Sequence, residues 1–241
     1  MKELHIITPV KNSINTTLKT IDAVLSSKIS IPHRYTVYND FSSQENTLIL
    51  NQKFKQEGSF ELINLRDITN HPSPNYDLVL QMAQEDALKA DAGILIVESD
   101  VLMESDTIQR LVDETAALHD CALAACVTVD EDGNINYPYE YAKDYEKGVI
   151  DCKQVFSFSF TILTPLILSA IDFHTLDPKH DWYDAVLTKQ SLKLGFKNYL
   201  FTNLPVIHRP HSSRPWRTIK EQNPLKYYWM KYTGGFKKMK Q

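Results

Sequence analysis

The sequence predicts an α/β fold, a doubly wound, mostly parallel sheet with helices on both faces. In the first half of the chain, short apolar runs alternate with segments in which apolar residues recur at helical spacing. This alternation is typical of βαβ units. The chain has 241 residues, which suits one large α/β domain or two small ones. With 43% hydrophobic and 23% charged residues, its composition is that of an ordinary soluble globular protein.

Four strand–helix pairs are predicted in the first half of the chain. Each strand is a short apolar run, and each helix has one apolar face with a period of about 3.6 residues. The predicted strands are 3–10, 34–40, 60–65 and 93–97. The predicted helices are 12–27, 42–56, 76–90 and 104–118. Two of these helices begin with polar residues, Asn12 or Ser13 in one and Ser42 or Ser43 in the other. Their side-chain oxygens can accept hydrogen bonds from the free N–H groups of the first turn, so these residues are candidate N-caps.

The second half of the sequence is less regular. Strands are predicted at 121–129, at 155–164 and within 197–211, and helices at 165–173 and 181–195. Pro165 suits the first turn of its helix, and Gly195 is expected to end the other. Between the first two strands lies a loop with Tyr137, Tyr139 and Tyr141.

Three polar clusters stand where predicted parallel strands end, namely 9–12, 39–40 and 98–100. Doubly wound sheets bind ligands beyond the carboxyl ends of their strands, so we expect a nucleotide and a metal ion there. The third cluster ends an apolar run, and buried carboxylates are costly unless a cation meets them. Residues i and i+2 of an extended strand point the same way, roughly 6.6 Å apart. Glu98 and Asp100 are therefore expected to face one common object.

Composition and charge argue against several classes of protein. The formal net charge of −4 does not indicate nucleic-acid binding, for which a basic domain is expected. The three cysteines lack CxxC spacing, so neither a disulfide framework nor a zinc site is predicted. The N-terminus does not have the pattern of a signal peptide, and no segment approaches the roughly 20 apolar residues of a membrane span. We therefore expect a cytoplasmic protein.

Five segments together resemble the motifs of one enzyme family. In chain order they are "HIITPVKNS", "TVYNDFSSQENT", "LIVESDVLME", "HDWYDAVLTKQSLKLGF" and "VIHRPHSS". Their order and spacing are similar to those of the GT-A glycosyltransferases, specifically the family-2-type inverting enzymes that use nucleotide-diphospho sugars. In this chain Lys11 replaces the usual aromatic of the first motif, and Phe41 replaces the usual glycine of the second.

The resemblance implies a nucleotide-binding group of residues. In it, Asp40 hydrogen-bonds the base, and Pro9 and Asn12 line the base pocket. Glu98 lies near the ribose or the donor sugar. We accordingly predict one GT-A-like domain over residues 1–241.

That domain is predicted to have three parts. A nucleotide-sugar-binding half covers 1–118, an acceptor and catalytic half covers 119–213, and a basic, aromatic C-terminal tail covers 214–241.

The resemblance also implies a metal site and a catalytic base. Asp100 would bind Mn²⁺ or Mg²⁺, which neutralises the leaving diphosphate, and His208 or His211 would complete the site. The base that deprotonates the acceptor hydroxyl would be Asp184, or Asp181 one helical turn earlier. By residue type alone, Asp100 also suits a solvated strand exit or a helix cap, and Asp181 also suits a cap.

The expected partners are a nucleotide-diphospho-sugar donor and a glycan or lipid-linked acceptor. The tail combines Arg and Lys with aromatic residues, which suits either contact with an anionic membrane or packing on the domain. The tyrosines of the 137–141 loop suit either stacking on a sugar or filling the core. Two other functions stay open, a domain that binds nucleotide sugar or a partner without turnover, and a sugar nucleotidyltransferase. The segment "TPVKNSIN" lacks the glycines usual in the latter's phosphate loop.

Overall fold

The structure is a computed structural model that describes residues 1–177 and 182–209, together with the single residues 223, 225 and 228. The chain divides into two units, Met1–His208 and Arg209–Gln241. All the elements described here belong to the first unit. The predicted boundary near residue 118 between two functional halves stays a prediction. Among the described residues, none of the helices has both the length and the apolar character needed to cross a membrane.

Nine strands form one sheet within the described ranges. They are β1 (Glu3–Val10), β2 (His33–Asn39), β3 (Glu61–Asn64), β4 (Ala92–Val97), β5 (Val101–Leu102), β6 (Cys121–Val129), β7 (Val149–Asp151), β8 (Phe160–Leu163) and β9 (Lys197–His208). Their order across the sheet is β3-β2-β1-β4-β8-β6-β9-β5, and β7 pairs with β9. The pairs among β1 to β4 and the pair β6–β9 are parallel, whereas β8, β5 and β7 run antiparallel to their neighbours. The predicted α/β sheet is confirmed.

Six α-helices are described, and they cover both faces of the sheet. They are α1 (Ile14–Leu25), α2 (Gln44–Glu57), α3 (Tyr76–Ala90), α4 (Thr107–Ala116), α5 (Pro165–Ala170) and α6 (Tyr183–Lys193). Buried side chains of α3, α5 and α6 form one apolar cluster, and those of α1, α2 and α4 form another. Strand β4 serves both, because Ile94 and Ile96 belong to the first cluster while Leu95 and Val97 belong to the second. Successive strand residues point to opposite faces, so a continuous apolar run is what a sheet covered on both sides requires.

Local signals explain several helix ends. The Ser43 side chain accepts a hydrogen bond from Asn46 N at 3.2 Å, so it is the N-cap predicted for α2. Gly195 has φ +84° just beyond α6, a left-handed conformation that glycine adopts without strain. Asp106, and not Asp100, stands at the N-cap position of α4. The interpretation of Asp100 as a cap is therefore wrong.

Two features of the second half differ from the prediction. Strand β8 begins at Phe160 instead of residue 155, and β7 was not predicted. The Ser157 carbonyl accepts from the Tyr139 hydroxyl at 3.1 Å and from Thr161 Oγ1 at 2.7 Å. Side chains therefore bind the backbone ahead of Phe160, where a strand would have used a ladder bond. Strand β7 is only three residues long, which is too short to show a period.

Candidate functional site

The strongest polar cluster follows β4. Residues 98–101 form a turn in which Val101 N donates to the Glu98 carbonyl at 3.2 Å. The prediction of an extended chain through Glu98 and Asp100 is therefore wrong, yet the turn still brings the two carboxylates together. Immediately after it, β5 pairs with the end of β9, and Val101 lies opposite His208. This antiparallel pairing places an imidazole beside the acidic turn.

The three side chains lie within metal-chelating distance. His208 Nε2 is 3.5 Å from Asp100 Oδ1 and 3.6 Å from Glu98 Oε2. One ligand atom from each residue lies within 4.8 Å of the other two. The side chains of Asp100 and His208 are each 5% exposed and that of Glu98 is 29% exposed. The interpretation of Asp100 as a solvated acid is therefore wrong.

The orientation of His208 is fixed from the far side of its ring. Its Nδ1 lies 3.1 Å from the Tyr137 carbonyl oxygen, so Nδ1 carries a proton and donates it. Asn136 Nδ2 donates to the His208 carbonyl at 3.0 Å. The other ring nitrogen, Nε2, consequently faces the carboxylates, which is the arrangement in which histidines bind metals. No local signal in the sequence indicates that Asn136 and Tyr137 hold His208, because these contacts span more than seventy residues of chain.

Electrostatics supports a cationic occupant. Burial lowers the pKa of His208, but its hydrogen bond to Asp100 and the charges of Asp100 and Glu98 raise it, and the net shift is upward. Two carboxylates this close repel one another unless a positive charge stands between them. Carboxylate oxygens suit Mn²⁺ and Mg²⁺, and a neutral imidazole nitrogen is an accepted further ligand. The chemistry of Glu98, Asp100 and His208 therefore fits a divalent cation.

Asp40 lies at the end of β2 in a different environment. Its Oδ2 accepts from Ser73 Oγ at 2.6 Å and from Asn75 N at 3.0 Å, and its Oδ1 accepts from Asn75 Nδ2 at 2.8 Å. The residue is 9% exposed. These bonds tie the loop before α3 to the end of β2. Three of the roughly four lone-pair sites of the carboxylate are therefore used within the chain.

Pro9 and Asn12 lie beside Asp40 at the end of β1. Asp40 N donates to the Val10 carbonyl at 2.8 Å, and Pro9 stands opposite Tyr38 in the β1–β2 ladder. The Asn12 side-chain oxygen accepts from Ser43 N at 2.9 Å, which joins the first strand end to the start of α2. The structure thus brings Pro9, Asn12 and Asp40 to one edge of the sheet, as the sequence predicts.

The candidate base Asp184 lies in the first turn of α6. It is half-buried, and its Oδ1 accepts from Ala185 N at 2.7 Å. The rival base Asp181 and the alternative ligand His211 lie outside the described residues, as does almost all of the tail 214–241. Of the loop tyrosines, Tyr139 is fully buried and Tyr137 is exposed, so Tyr139 fills the core.

Comparison with known proteins gives the family. The sequence model of glycosyl transferase family 2 matches residues 5–165, which include β1 to β4 and the acidic turn. The chain belongs to this family. The GT-A resemblance noted from its motifs is therefore confirmed. No curated protein matches this family-2 chain in a sequence comparison.

Solved structures share the fold of this family-2 chain. Residues 1–349 of S. aureus TarS match with a TM-score of 0.58 and 14% identity, over 85% of this chain and 57% of that one. The same protein in complex with UDP matches with a TM-score of 0.62 and 12% identity, over 90% and 63%. The mannosyltransferase PcManGT from Pyrobaculum calidifontis, in complex with GDP-Man and Mn²⁺, matches with a TM-score of 0.61 and 13% identity, over 95% and 64%. The family-2 chain thus spans less than two thirds of each of these structures.

Proposed function

We propose that this family-2 protein transfers a sugar from a nucleotide-diphospho-sugar donor to an acceptor hydroxyl, with inversion and with the help of a divalent metal ion. The observation that carries the proposal is the cluster of Glu98, Asp100 and His208 after β4. It lies at the carboxyl end of a central parallel strand, where α/β sheets bind ligands. We also propose that the reaction belongs to polysaccharide or glycoconjugate synthesis, a role that agrees with the family.

The metal part of the proposal assigns Mn²⁺ or Mg²⁺ to Glu98, Asp100 and His208. The fit of this donor set supports it, and so does the likeness to PcManGT, whose structure is a complex with GDP-Man and Mn²⁺. When bound, such an ion neutralises the negative charge that develops on a leaving diphosphate. The protein's own contribution is to hold the two carboxylates and the imidazole in one place before any ligand arrives.

For the donor we propose a binding site along the ends of β1, β2 and β4. The base would lie by Pro9 and Asn12 and take the remaining lone pair of Asp40. The ribose and sugar would extend toward Glu98. Because Asp40 also holds Ser73 and Asn75, it shapes this pocket as well as touching the base.

For the chemical step we propose Asp184 as the base. Its carboxylate takes the proton of the acceptor hydroxyl while that oxygen forms a bond to the anomeric carbon. The bond from the same carbon to the diphosphate oxygen breaks, and the nucleoside diphosphate leaves with the electron pair. One in-line displacement of this kind inverts the anomeric centre. The acceptor class, glycan or lipid-linked, the cytoplasmic location and the membrane contact of the tail stay predictions.

The test is donor turnover by the intact chain. UDP-, GDP- and dTDP-sugars are incubated with the protein, with Mn²⁺ and with EDTA, and release of nucleoside diphosphate is followed. We expect release from one nucleotide class, dependent on the metal. Binding with no release in the presence of glycan acceptors favours the domain without turnover. Release of pyrophosphate from a nucleoside triphosphate and a sugar phosphate favours the nucleotidyltransferase.

A further inference from the structure

Tyr76, the first residue of α3, occupies an unusual place beside the proposed site. Its ring stacks against Tyr183 with centroids 6.2 Å apart and an interplanar angle of 13°. On another side it stacks against Phe158 with centroids 6.5 Å apart and an angle of 23°. Aromatic stacking of this kind fixes a side chain more firmly than apolar contact alone. The position of the Tyr76 hydroxyl is therefore well defined.

Each neighbour of Tyr76 leads to a proposed site residue. Tyr183 precedes the candidate base Asp184. Phe158 precedes Ser159, whose carbonyl accepts from Glu98 N at 2.9 Å. Asn75, which precedes Tyr76 itself, holds both carboxylate oxygens of Asp40. Tyr76 is thus connected, through its ring contacts and its chain neighbour, to the nucleotide side, the metal side and the base side of the site.

The Tyr76 hydroxyl is buried and has no hydrogen-bond partner among the residues that the structure describes. Buried polar groups in proteins are nearly always paired, and exceptions call for an explanation such as a missing ligand. Two other buried tyrosines, Tyr35 and Tyr139, are paired. The Tyr139 hydroxyl binds the Ser157 backbone, and the Tyr35 hydroxyl lies 3.0 Å from Thr8 Oγ1. The Tyr76 hydroxyl therefore differs from the hydroxyls of these two tyrosines.

The Tyr76 hydroxyl can donate a hydrogen bond, and no described residue accepts it. Burial raises the pKa of Tyr76 well above its ordinary value, and the negative charges of Glu98 and Asp184 raise it further. The phenol is accordingly neutral at physiological pH and can donate its proton to an oxygen. The charges that act on this hydroxyl therefore belong to one acid of the metal side and one of the base side.

We propose that Tyr76 is a specificity-determining residue whose hydroxyl donates a hydrogen bond to a hydroxyl oxygen of the transferred sugar. This inference rests on the proposed function. In an inverting displacement the leaving group and the base stand on opposite sides of the anomeric carbon, so the sugar ring lies between the Glu98–Asp100 turn and Asp184. A substrate group that enters between those carboxylates meets the unpaired donor. A site built to hydrogen-bond a sugar hydroxyl rejects analogues that lack it.

The test compares Tyr76→Phe with the wild-type chain. The variant keeps the ring and its stacking and removes only the hydroxyl. Isothermal titration in the presence of Mn²⁺ measures the Kd of UDP and GDP and of UDP-glucose, UDP-N-acetylglucosamine and GDP-mannose. We expect the Kd of the bound nucleotide sugar to rise about tenfold, the typical worth of one hydrogen bond, and the Kd of its parent diphosphate to stay the same. Tyr139→Phe, which removes a paired buried hydroxyl, is the matched control and should leave the ratio of the two Kd values unchanged.

The outcomes separate this inference from the proposed function. If the wild-type chain binds none of the diphosphates and sugars, the proposed function fails and the role of Tyr76 fails with it. If it binds a diphosphate and its sugar but Tyr76→Phe changes neither Kd, or changes both equally, only the role of Tyr76 is overturned. A deoxy-sugar nucleotide that binds wild type and Tyr76→Phe equally well would identify the hydroxyl that Tyr76 contacts.

Discussion

Asp40 and Asp100 occupy equivalent places in the fold and have opposite surroundings. Each is a buried acid just beyond the carboxyl end of a parallel strand, β2 or β4. The carboxylate of Asp40 accepts three hydrogen bonds from Ser73 and Asn75. The carboxylate of Asp100 faces the imidazole of His208 and has Glu98 nearby.

This difference shows that an acid at a strand end can either hold a neighbouring loop by hydrogen bonds or form part of an ion site. Neutral donors from a neighbouring loop satisfy a carboxylate without any ligand. A second carboxylate beside the first creates repulsion, which a cation relieves while both acids stay ionised. We therefore expect changes at Asp40 to act mainly on stability and changes at the Asp100 cluster to act mainly on metal binding.

The largest effect is expected from Asp184→Asn. This variant tests whether turnover depends on an acid of the acceptor side that is separate from Asp40 and Asp100. Loss of a general base lowers turnover by about 10²- to 10⁴-fold. Nucleotide and Mn²⁺ affinities should stay as in the wild type, because Asp184 belongs to neither binding group. Turnover with a saturating donor and titration with the parent diphosphate measure the two quantities. If turnover stays within a factor of two, Asp184 is not the base and Asp181 takes its place.

The next effect is on stability. In Asp40→Asn the new amide has only one acceptor oxygen, so its NH₂ must face a donor that the carboxylate had bound. We expect a loss of about 1–3 kcal/mol in the free energy of unfolding, measured by urea denaturation. Asp106→Asn, at a residue whose side chain is 59% exposed, is the matched control and should change stability by less than about 0.5 kcal/mol. Equal stability of the two variants would mean that the bonds to Ser73 and Asn75 contribute nothing.

A smaller effect, on metal affinity, is expected from a change at Asn136, which supports His208. Asn136→Ala removes the side chain that holds the His208 carbonyl, and loss of such a supporting contact typically lowers metal affinity by about tenfold or more. Asn203→Ala is the control. Asn203 lies on β9, as His208 does, but its side chain donates to Glu114 at 3.3 Å, away from the site. Mn²⁺ affinity can be followed by electron paramagnetic resonance of the free ion. A greater loss of Mn²⁺ affinity in Asn136→Ala than in Asn203→Ala supports the conclusion that Asn136 positions His208.

The smallest effect concerns the two tyrosines. Removing the unpaired hydroxyl in Tyr76→Phe should leave the melting temperature unchanged or raise it slightly. Tyr139→Phe removes the acceptor of the Ser157 N–H and should cost about 1 kcal/mol, or a few degrees in melting temperature. Differential scanning calorimetry distinguishes them. A lower melting temperature for Tyr76→Phe than for Tyr139→Phe would show that the Tyr76 hydroxyl has a partner in the free protein.

Much of the fold was predictable because it depends on local pattern. The bounds of β1, α3 and β6 match the predicted ranges, since β1 and β6 are continuous apolar runs and α3 has a regular helical period. The strand over residues 155–159 was wrong, because Tyr139 binds that backbone from a distance in sequence. Periodicity reports which face of an element is buried and says nothing about such a competitor.

The candidate site was predictable in its residue types and less so in its contacts. Glu98, Asp100 and His208 were predicted as site residues, but neither the turn at 98–101 nor the pairing of β5 with β9 that joins the three residues has a local signal. The partners of Asp40 lie more than thirty residues away along the chain. Tyr76 was missed for a related reason, because a tyrosine at the start of a helix looks like an ordinary core residue until its hydroxyl is found unpaired.

The most direct test of the account is a Mn²⁺ titration of the wild type, Asp100→Asn and Asp40→Asn by calorimetry. We predict that the wild type and Asp40→Asn bind the ion with similar Kd. We also predict that Asp100→Asn binds at least about 100-fold more weakly, a loss beyond the range typical of outer contacts. If Asp100→Asn binds Mn²⁺ as the wild type does, or if Asp40→Asn loses the ion instead, the two strand ends do not differ in the way described and the metal site is not at Asp100.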